Sequence, residues 1–551
     1  MKKNNHSPKN KIELIYILKS FSFFSPYKKQ VLVVVLCMLI SLALSFIQPF
    51  VSEALIDEGI IARCFGTVCK MCGLLITIAV LTFCINLIKE KKRLSVYNNM
   101  RFDMEKDAFL HLSKIKMDYF RDKNISAIYQ TLKEDISMIS SIADADTFNS
   151  ISSLVGALSG GIAIILLDWR LSLLVLIFVP LNATATLLIM KKNFPVSIKY
   201  ISRSKDFNEW YGDAINGMKV IRLFTIQKQK ENEIVEKVDK LKKLSKEQGF
   251  NIAMNMQIQS LIMRVFSISI YFVSGLILLK YDLTIGKVVA FETYAMMMTD
   301  PIIVGFSMLF GLSTIAPSIK RHLDFLKYPE EDESGSYNCV NGDLSFENVD
   351  FSYGDNSYVF RNVSFTIKQG SKVAVIGKNG SGKTTLLNLL LRIVDPTAGD
   401  ITIDHVNINS YNINDYRKLF GVVSQDVYLF NASIRDNICL NREVSNDRLN
   451  YVIKIVNLKN LIDKKGYDCQ VGENGGMLSG GQKQKIALAR AIIEMKPIII
   501  LDEATSNLDV ETIYAVGSLF DTELKNCTVI CVSHTEEIID LFENVIDISN
   551  L

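Results

Sequence analysis

The run Gly377-Lys378-Asn379-Gly380-Ser381-Gly382-Lys383-Thr384 has the residue types and spacing of a phosphate cradle. It follows an apolar stretch of strand character, Lys372 to Ile376, and precedes a helical pattern from Thr385 to Ile393. Glycines so placed let backbone N–H groups wrap phosphate oxygens, and a helix N-terminus adds partial positive charge. Lys383 is placed to reach the β- and γ-phosphates, Thr384 to hold Mg²⁺, and Thr385 to open the helix beneath them. At Ile498-Ile499-Ile500-Leu501-Asp502-Glu503 an apolar strand ends in two carboxylates. Asp502 suits the Mg²⁺ shell, and Glu503 suits the orientation or deprotonation of an attacking water. Such an acidic pair alone reads as a turn after a core strand; beside a phosphate loop it reads as chemistry. A third element, Leu478-Ser479-Gly480-Gly481-Gln482, precedes a helical pattern from Lys483 to Ile493. Ser479 with the amides of Gly480 and Gly481 makes a second phosphate-binding cap. A single phosphate loop needs only one such surface. The economical arrangement is a dimer in which each nucleotide is shared between subunits.

The elements that position these residues occupy the second half of the chain. From Leu344 onward, short β-type runs alternate with helical ones, which predicts an α/β domain over 344–551. A polar stretch, 327–343, reads as a linker and carries Glu330, Glu331, Asp332 and Glu333.

The first half has a different character. Of 551 residues, 49% are hydrophobic and only 22% charged, with a mean hydropathy of +0.22. That balance fits a membrane region joined to a soluble one. Lys and Arg number 61 against 58 acidic residues, too even to imply a nucleic-acid partner. Uncharged runs at 31–50, 71–88, 147–167 and 171–190 are each long enough to cross a bilayer core of about 30 Å. The last two are separated only by Asp168, Trp169 and Arg170, which predicts a tight hairpin. A fifth span, 265–279, extends back past Arg264 if that side chain snorkels or faces a wet cavity. A sixth, about 288–312, contains Glu292 and Asp300. Six spans therefore fill 29–326, behind an N-terminal arm, 1–28, rich in lysine. The first run is too long for the core of a signal peptide. Positive charge stays inside, so the arm and the C-terminal half are both cytoplasmic.

Two connections, 89–146 and 191–256, are charged and of helical period. Helices that continue the spans into the cytoplasm account for them better than structureless loops do. Near their midpoints stand Tyr119-Phe120-Arg121 and Trp210-Tyr211-Gly212-Asp213. An aromatic tip serves either to dock onto another domain or to pack the paired helices, and the residues alone leave both open. Gly156-x-x-x-Gly160 predicts close helix packing. The lone Cys69-x-x-Cys72 falls short of the four ligands of a zinc site and reads as packing.

Taken together, these motifs resemble an ATP-binding cassette (ABC) exporter half-transporter over nearly the whole length. The pentapeptide at 478–482 is that family's most specific mark. The fold class implied is an α-helical six-span membrane domain plus an α/β P-loop NTPase domain. The resemblance assigns further positions. Tyr353 matches the aromatic that stacks on adenine, Gln425 the glutamine that contacts Mg²⁺ and water, and His534 the switch histidine at the γ-phosphate. Asp509, in Ser506-Asn507-Leu508-Asp509, belongs to the loop that crosses the dimer interface. Val471-Gly472-Glu473-Asn474-Gly475 resembles the exporter loop that touches the coupling helices, which favours docking for the two aromatic tips. The implied cofactors are ATP and Mg²⁺. The implied partners are the membrane, a second half-transporter, identical or different, and a peptide, drug or lipid substrate exported from the cytoplasm of a bacterial cell. An ATP-gated regulator and an exporter-shaped importer are the competing readings; Glu503 and the unbroken signature weigh against a switch that need not turn over. The pattern departs from the family at Thr535-Glu536 after His534, where exporters carry Arg and an apolar residue. It departs again in stopping soon after the strand Val545 to Ile548, which implies a less stable domain or one that leans on a partner.

Overall fold

The computed structural model describes residues 21–121, 125–278, 283–335, 342–354, 358–503 and 510–550. Two compact units emerge, Met1–Leu110 with Ser126–Lys327, and His111–Ile125 with Tyr328–Leu551.

The first unit is helical. Its elements are α1 (Lys28–Ala54), α2 (Phe65–Leu112), α3 (Ile125–Ser140), α4 (Ala145–Leu167), α5 (Trp169–Asn216), α6 (Met218–Leu223), α7 (Gln227–Leu278) and α8 (Ile285–Leu326). Among the described residues, five helical segments are long and apolar enough to cross a membrane: Ser22–Ile61, Phe65–Leu112, Ile128–Leu167, Trp169–Asn216 and Gln227–Leu278. The sixth expected span falls on α8, where the side chains of 299–314, Asp300 included, lie outside the described residues. At about 1.5 Å per residue, the 48 residues of α2 reach about 72 Å, more than twice the bilayer core. The long connections are therefore helical extensions of the spans. Asp168 makes the α4–α5 hairpin: it ends one helix and caps the next, its carboxylate accepting from the N–H groups of Arg170 and Leu171 at 2.8 and 3.3 Å.

Packing in this unit centres on Tyr294, fully buried against Phe46 and Phe50. Its hydroxyl donates to the Phe46 carbonyl. Phe266, Phe291, Ala163 and Leu171 complete the core. Gly160 lets α4 approach α8, because a Cβ there would stand 3.1 Å from the Tyr294 carbonyl oxygen. Below the spans, buried Arg93 pairs with Glu90 at 2.8 Å and Asp144 at 3.2 Å.

The second cytoplasmic hairpin differs from expectation. Trp210 to Asp213 lie inside α5, not at a tip. The Trp210 indole N–H donates to Glu233 of α7 at 3.1 Å, and Phe207 stacks on Trp210 and Tyr211. This aromatic cluster packs paired helices. Helix α5 ends at Gly217. Thr225, with φ +54°, precedes α7, and α6 between them exposes Met218, Val220 and Leu223.

The second unit contains two sheets. Strands β1 (Leu344–Ser352), β2 (Tyr358–Ile367), β4 (Ala398–Ile403) and β5 (Val406–Asn407) form an antiparallel sheet in the order β2-β1-β4-β5. Strands β3 (Lys372–Ile376), β6 (Phe420–Val423), β7 (Ile498–Asp502), β8 (Thr528–Val532) and β9 (Asn544–Asp547) form a parallel one in the order β6-β7-β8-β3-β9. Every residue of β7 and β8 is buried, as in a parallel sheet covered on both faces. The last strand, β9, hydrogen-bonds to β3 along the sheet edge. The acidic stretch before β1 is tied down: Glu331 holds Arg417 through two bonds of 2.7 and 2.8 Å, and Glu330 meets His111 at 2.8 Å.

Overpacking a close helix contact costs about 1–3 kcal/mol. Gly160→Val is therefore expected to lower the melting temperature of the detergent-solubilised protein, whereas Gly73→Val on α2, where an added Cβ meets nothing within 4 Å, is not. Equal melting of the two variants would count against the α4–α8 contact.

Candidate nucleotide site

The phosphate loop leaves the end of β3 and enters helix α9 (Lys383–Leu390). Gly382 caps that helix with φ +99°, and an added Cβ would stand 2.7 Å from Val359 and 2.8 Å from the Phe360 ring. Only glycine fits both the backbone and the space. Lys383 is buried, and its ammonium donates to the carbonyls of Gly377 at 2.9 Å and Lys378 at 3.2 Å. Lys378, Asn379 and Gly380 are exposed at the rim, as is Thr384, while Thr385 is buried beneath them. The Ser381 hydroxyl oxygen is buried with no hydrogen-bond partner among the described residues. A buried hydroxyl left this way is costly unless a ligand completes it. It stands inside a glycine-rich loop with a lysine beside it, so the site fits a phosphate.

The other strands deliver the acidic groups. Asp502 ends β7 and is buried; burial, then Glu503 beside it, push its pKa up to about 6, with Lys383 pulling the other way. A carboxyl held against its own charge gains from a nearby cation, which suits Mg²⁺. Glu503 follows with φ +48°, and its carboxylate turns to Gln425, whose amide donates at 2.6 Å. His534, after β8, places its Nε2 3.4 Å from the other Glu503 oxygen. Three residues far apart in the chain, Gln425, Glu503 and His534, thus meet.

Tyr353 lies at the rim with its hydroxyl 3.0 Å from the Thr385 hydroxyl. The Arg121 guanidinium stacks on its ring, 4.1 Å from the centroid, and donates to the Tyr353 carbonyl at 3.4 Å. Residues 111–121 are laced to the stretch after Lys327. Lys116 N–H donates to the Pro329 carbonyl at 3.1 Å, Glu331 N–H to the Lys114 carbonyl at 2.8 Å, and Lys116 pairs with Asp395 at 2.7 Å. The first aromatic tip is therefore a docking element, with Tyr119 packed edge-on against Tyr328. Together these residues border a cavity of about 890 Å³ beside Tyr353.

The signature stands elsewhere. Ser479 caps helix α10 (Gly480–Ile492) in a capping box: its hydroxyl accepts from Gln482 N–H at 3.3 Å, and the Gln482 side chain accepts from Ser479 N–H at 3.0 Å. Ser479 and Gly480 are exposed, and Gly481 and Gln482 half-buried. Lys483 ties the signature helix to the preceding loop through the Asn474 carbonyl at 2.6 Å. Alternation along the sheet separates the two phosphate caps. Val373 and Val375 of β3, with Ile498 and Ile500 of β7, face the core that holds Leu386 and Leu390 of α9. Ala374, Ile499 and Leu501 face the core that holds Ile486 and Leu488 of α10. The phosphate-loop helix and the signature helix thus cover opposite faces of one sheet. Ser506 to Asp509 lie outside the described residues.

Two groups at this site carried no signal of their own in the sequence. Arg121 belongs to an aromatic tip, but nothing in its spacing pointed to Tyr353. Ser549, just past β9, accepts from the Lys378 N–H at 3.3 Å.

Comparison with known proteins gives the family. Residues 31–302 match the family model of the ABC transporter transmembrane region, and residues 360–506 match the ABC transporter family model. The chain is similar to the uncharacterized ABC transporter ATP-binding protein YfiC of Bacillus subtilis, 26% identical over 539 residues, covering 96% of this chain and 89% of that protein. It is 32% identical over 384 residues to the ATP-dependent lipid A-core flippase of Neisseria meningitidis, covering 68% of this chain and 61% of the flippase. A bacterial Atm1-family ABC exporter solved with ATP bound shares its fold, with a TM-score of 0.81 at 20% identity, over 94% of this chain and 93% of the other. The chain belongs to the ABC transporters, as a half-transporter of exporter type that joins a multi-pass membrane domain to a cytoplasmic ATPase domain. It uses ATP to drive export of a substrate.

A cation over an aromatic face at an exposed site is worth about 0.5–1 kcal/mol. Arg121→Ala is therefore expected to weaken ATP binding by about two- to fivefold, by freeing the Tyr353 ring that it holds in place. Fluorescent-nucleotide titration of the purified protein reads this directly; unchanged affinity would remove Arg121 from the site.

Proposed function

We propose that two copies of this chain, or this chain and a similar one, form an export pump that closes on two shared ATP molecules. The observation that carries this reading is the separation of the phosphate loop and signature on opposite faces of one sheet. Neither cap reaches the other's ligand within one chain, so a second chain must supply the signature to each loop.

In this reading, 344–551 is the nucleotide domain. Gly377 to Thr385 cradle the phosphates, Lys383 neutralises the β- and γ-phosphates, and Tyr353 stacks on adenine. Thr384, Gln425 and Asp502 are the residues that would hold Mg²⁺, which would supply charge neutralisation for the transferred phosphoryl group. Glu503 takes the proton of the attacking water, and Gln425 and His534 hold its carboxylate. Ser479, Gly480, Gly481 and Gln482 close over the partner's nucleotide, with Asp509 at the crossing. The tips of 89–146 and 191–256 carry closure to the spans by alternating access. Exposed Met218, Val220 and Leu223 of α6 suit the second tip to that task. Relatives named as a lipid A-core flippase and a β-(1→2)glucan export protein set a precedent for lipid or glucan cargo.

Glu503→Gln keeps the size of the side chain and loses its basicity, and general-base assistance is worth about 10²–10⁴-fold. The variant is expected to retain nucleotide while turnover falls by about that factor. Near-normal turnover would take the role away from Glu503.

Sharing across the interface has its own test. A mixed dimer of one Lys383→Ala chain and one Ser479→Arg chain places both lesions on the same composite site and leaves the other intact. A Ser479→Arg homodimer has two damaged sites. Nucleotide-driven cross-linking between the two ATPase domains should therefore recover in the mixed dimer; closure no better than that of the homodimer would overturn sharing.

A further inference from the structure

Helix α7 presents three faces. Gln259, Phe266, Ile270 and Ser274 are buried. Leu261, Val265, Ile268, Phe272 and Leu276 are exposed and apolar, at 61, 46, 67, 68 and 53%. Gln257, Ser260, Arg264, Ser267 and Tyr271 recur every three or four residues, all exposed except half-buried Ser267. At about 100° per residue, the polar stripe lies about 100° around the helix from the buried one and a further 100° from the apolar one. The apolar stripe suits lipid. The polar one does not, because an arginine in hydrocarbon costs about 2.5–3.5 kcal/mol even on the mildest scale. It must face water or protein inside the assembled transporter.

One group from α8 joins this stripe. Glu292 is half-buried, and both its carboxylate oxygens are engaged, one by the Ser267 hydroxyl and the other by the Tyr271 hydroxyl. Thr293 and Met296 stand exposed beside it on α8. Glu292 is seven residues into its helix, about 10 Å from the start, within the span expected from the sequence at about 288–312. The two hydroxyls hold the carboxylate in place, and among the described residues it forms no ion pair. Tyr271 keeps half of its surface exposed beside that charge. A fixed carboxylate and an accessible aromatic ring are the two parts that recognise an ammonium group.

We propose that Glu292, Ser267 and Tyr271 form a substrate-recognition point for amphiphiles bearing a protonated amine or quaternary ammonium. This rests on the export reading above and names its substrate class. Charge complementarity selects the occupant: Glu292 meets the cation, the Tyr271 ring covers it, and Met296 offers an adaptable apolar contact.

The test uses full-length protein in lipid nanodiscs, without ATP, titrated with dodecyl amphiphiles of cationic, neutral and anionic head groups below their micellar concentrations. The cationic probe is expected to bind at least tenfold more tightly than the neutral one. Glu292→Gln should abolish that preference, and Glu292→Lys should reverse it toward the anionic probe. The reversal reports a folded site, so loss of binding through misfolding is distinguishable. Tyr271→Leu should weaken the cationic probe several-fold and spare the neutral one. Equal binding of all three probes to the wild type, or a charge preference unmoved by Glu292→Gln, would overturn the proposal. So would spontaneous cross-linking of Thr293→Cys, which keeps Glu292, between two subunits that the cationic probe does not block, since that would show a second copy filling the face. Because these titrations need no ATP, they stand apart from the export reading, which fails separately if no ATP-dependent uptake of any probe occurs in inverted vesicles.

Discussion

The register of the five-stranded parallel sheet is the constraint on which the nucleotide site depends. Strand β8 is paired on both sides, with Val532 opposite Val375 of β3 and Asp502 of β7. At about 4.8 Å per strand, the ends of β3, β8 and β7 finish side by side, which aligns the phosphate loop, His534 and Glu503. A slip of one residue would exchange the two faces of a strand and move its terminal group out of line. Burial on both faces fixes the register from within the sheet. Lys372 fixes it from below: its buried ammonium donates to the carbonyls of Gly370, Leu524 and Cys527 at 3.0, 2.8 and 2.6 Å, binding the start of β3 to the turn before β8. Those carbonyls offset the cost of burying the charge.

In the shared-site reading, the same alternation that builds the sheet calls for a second chain. Odd and even residues of β3, β7 and β8 feed two separate cores, one under α9 and one under α10. A helix on each face gives a stable three-layer domain. It also sends the two phosphate caps apart, with a buried sheet between them. Ser479 meanwhile satisfies its own helix through the capping box with Gln482, so the exposed signature is held rigid before any partner arrives.

Most of this site was legible in the sequence because its motifs are local backbone devices. Glycine spacing, a strand ending in acids and a serine before a helix each leave a mark within a few residues. The long hairpins were legible from helical period. What escaped was set by tertiary packing. Trp210 looked like a tip because it stood near the midpoint of its connection, yet it sits inside a continuous helix that ends only at Gly217. Arg121 meets Tyr353 across 232 residues, and no local pattern encodes that distance. The acidic stretch read as a linker is held by Arg417 and His111, partners that only the fold brings near.

The Asp502-Glu503 pair illustrates what neither propensity nor motif conveys. Neighbouring residues in an extended strand point to opposite faces, so two such carboxylates would ordinarily serve different environments. Here the strand ends at Asp502, which stays buried at the sheet. Glu503 then adopts a left-handed backbone, a conformation that costs a non-glycine residue about 1–3 kcal/mol. Its N–H still donates to the Val532 carbonyl at 3.0 Å, so the sheet holds the turn in place. The turn lets the second carboxylate reach Gln425 and His534 while the first remains beside Lys383. One dipeptide thus yields two carboxylates in different settings, one desolvated and suited to a cation, the other half-buried and held by side chains from neighbouring strands.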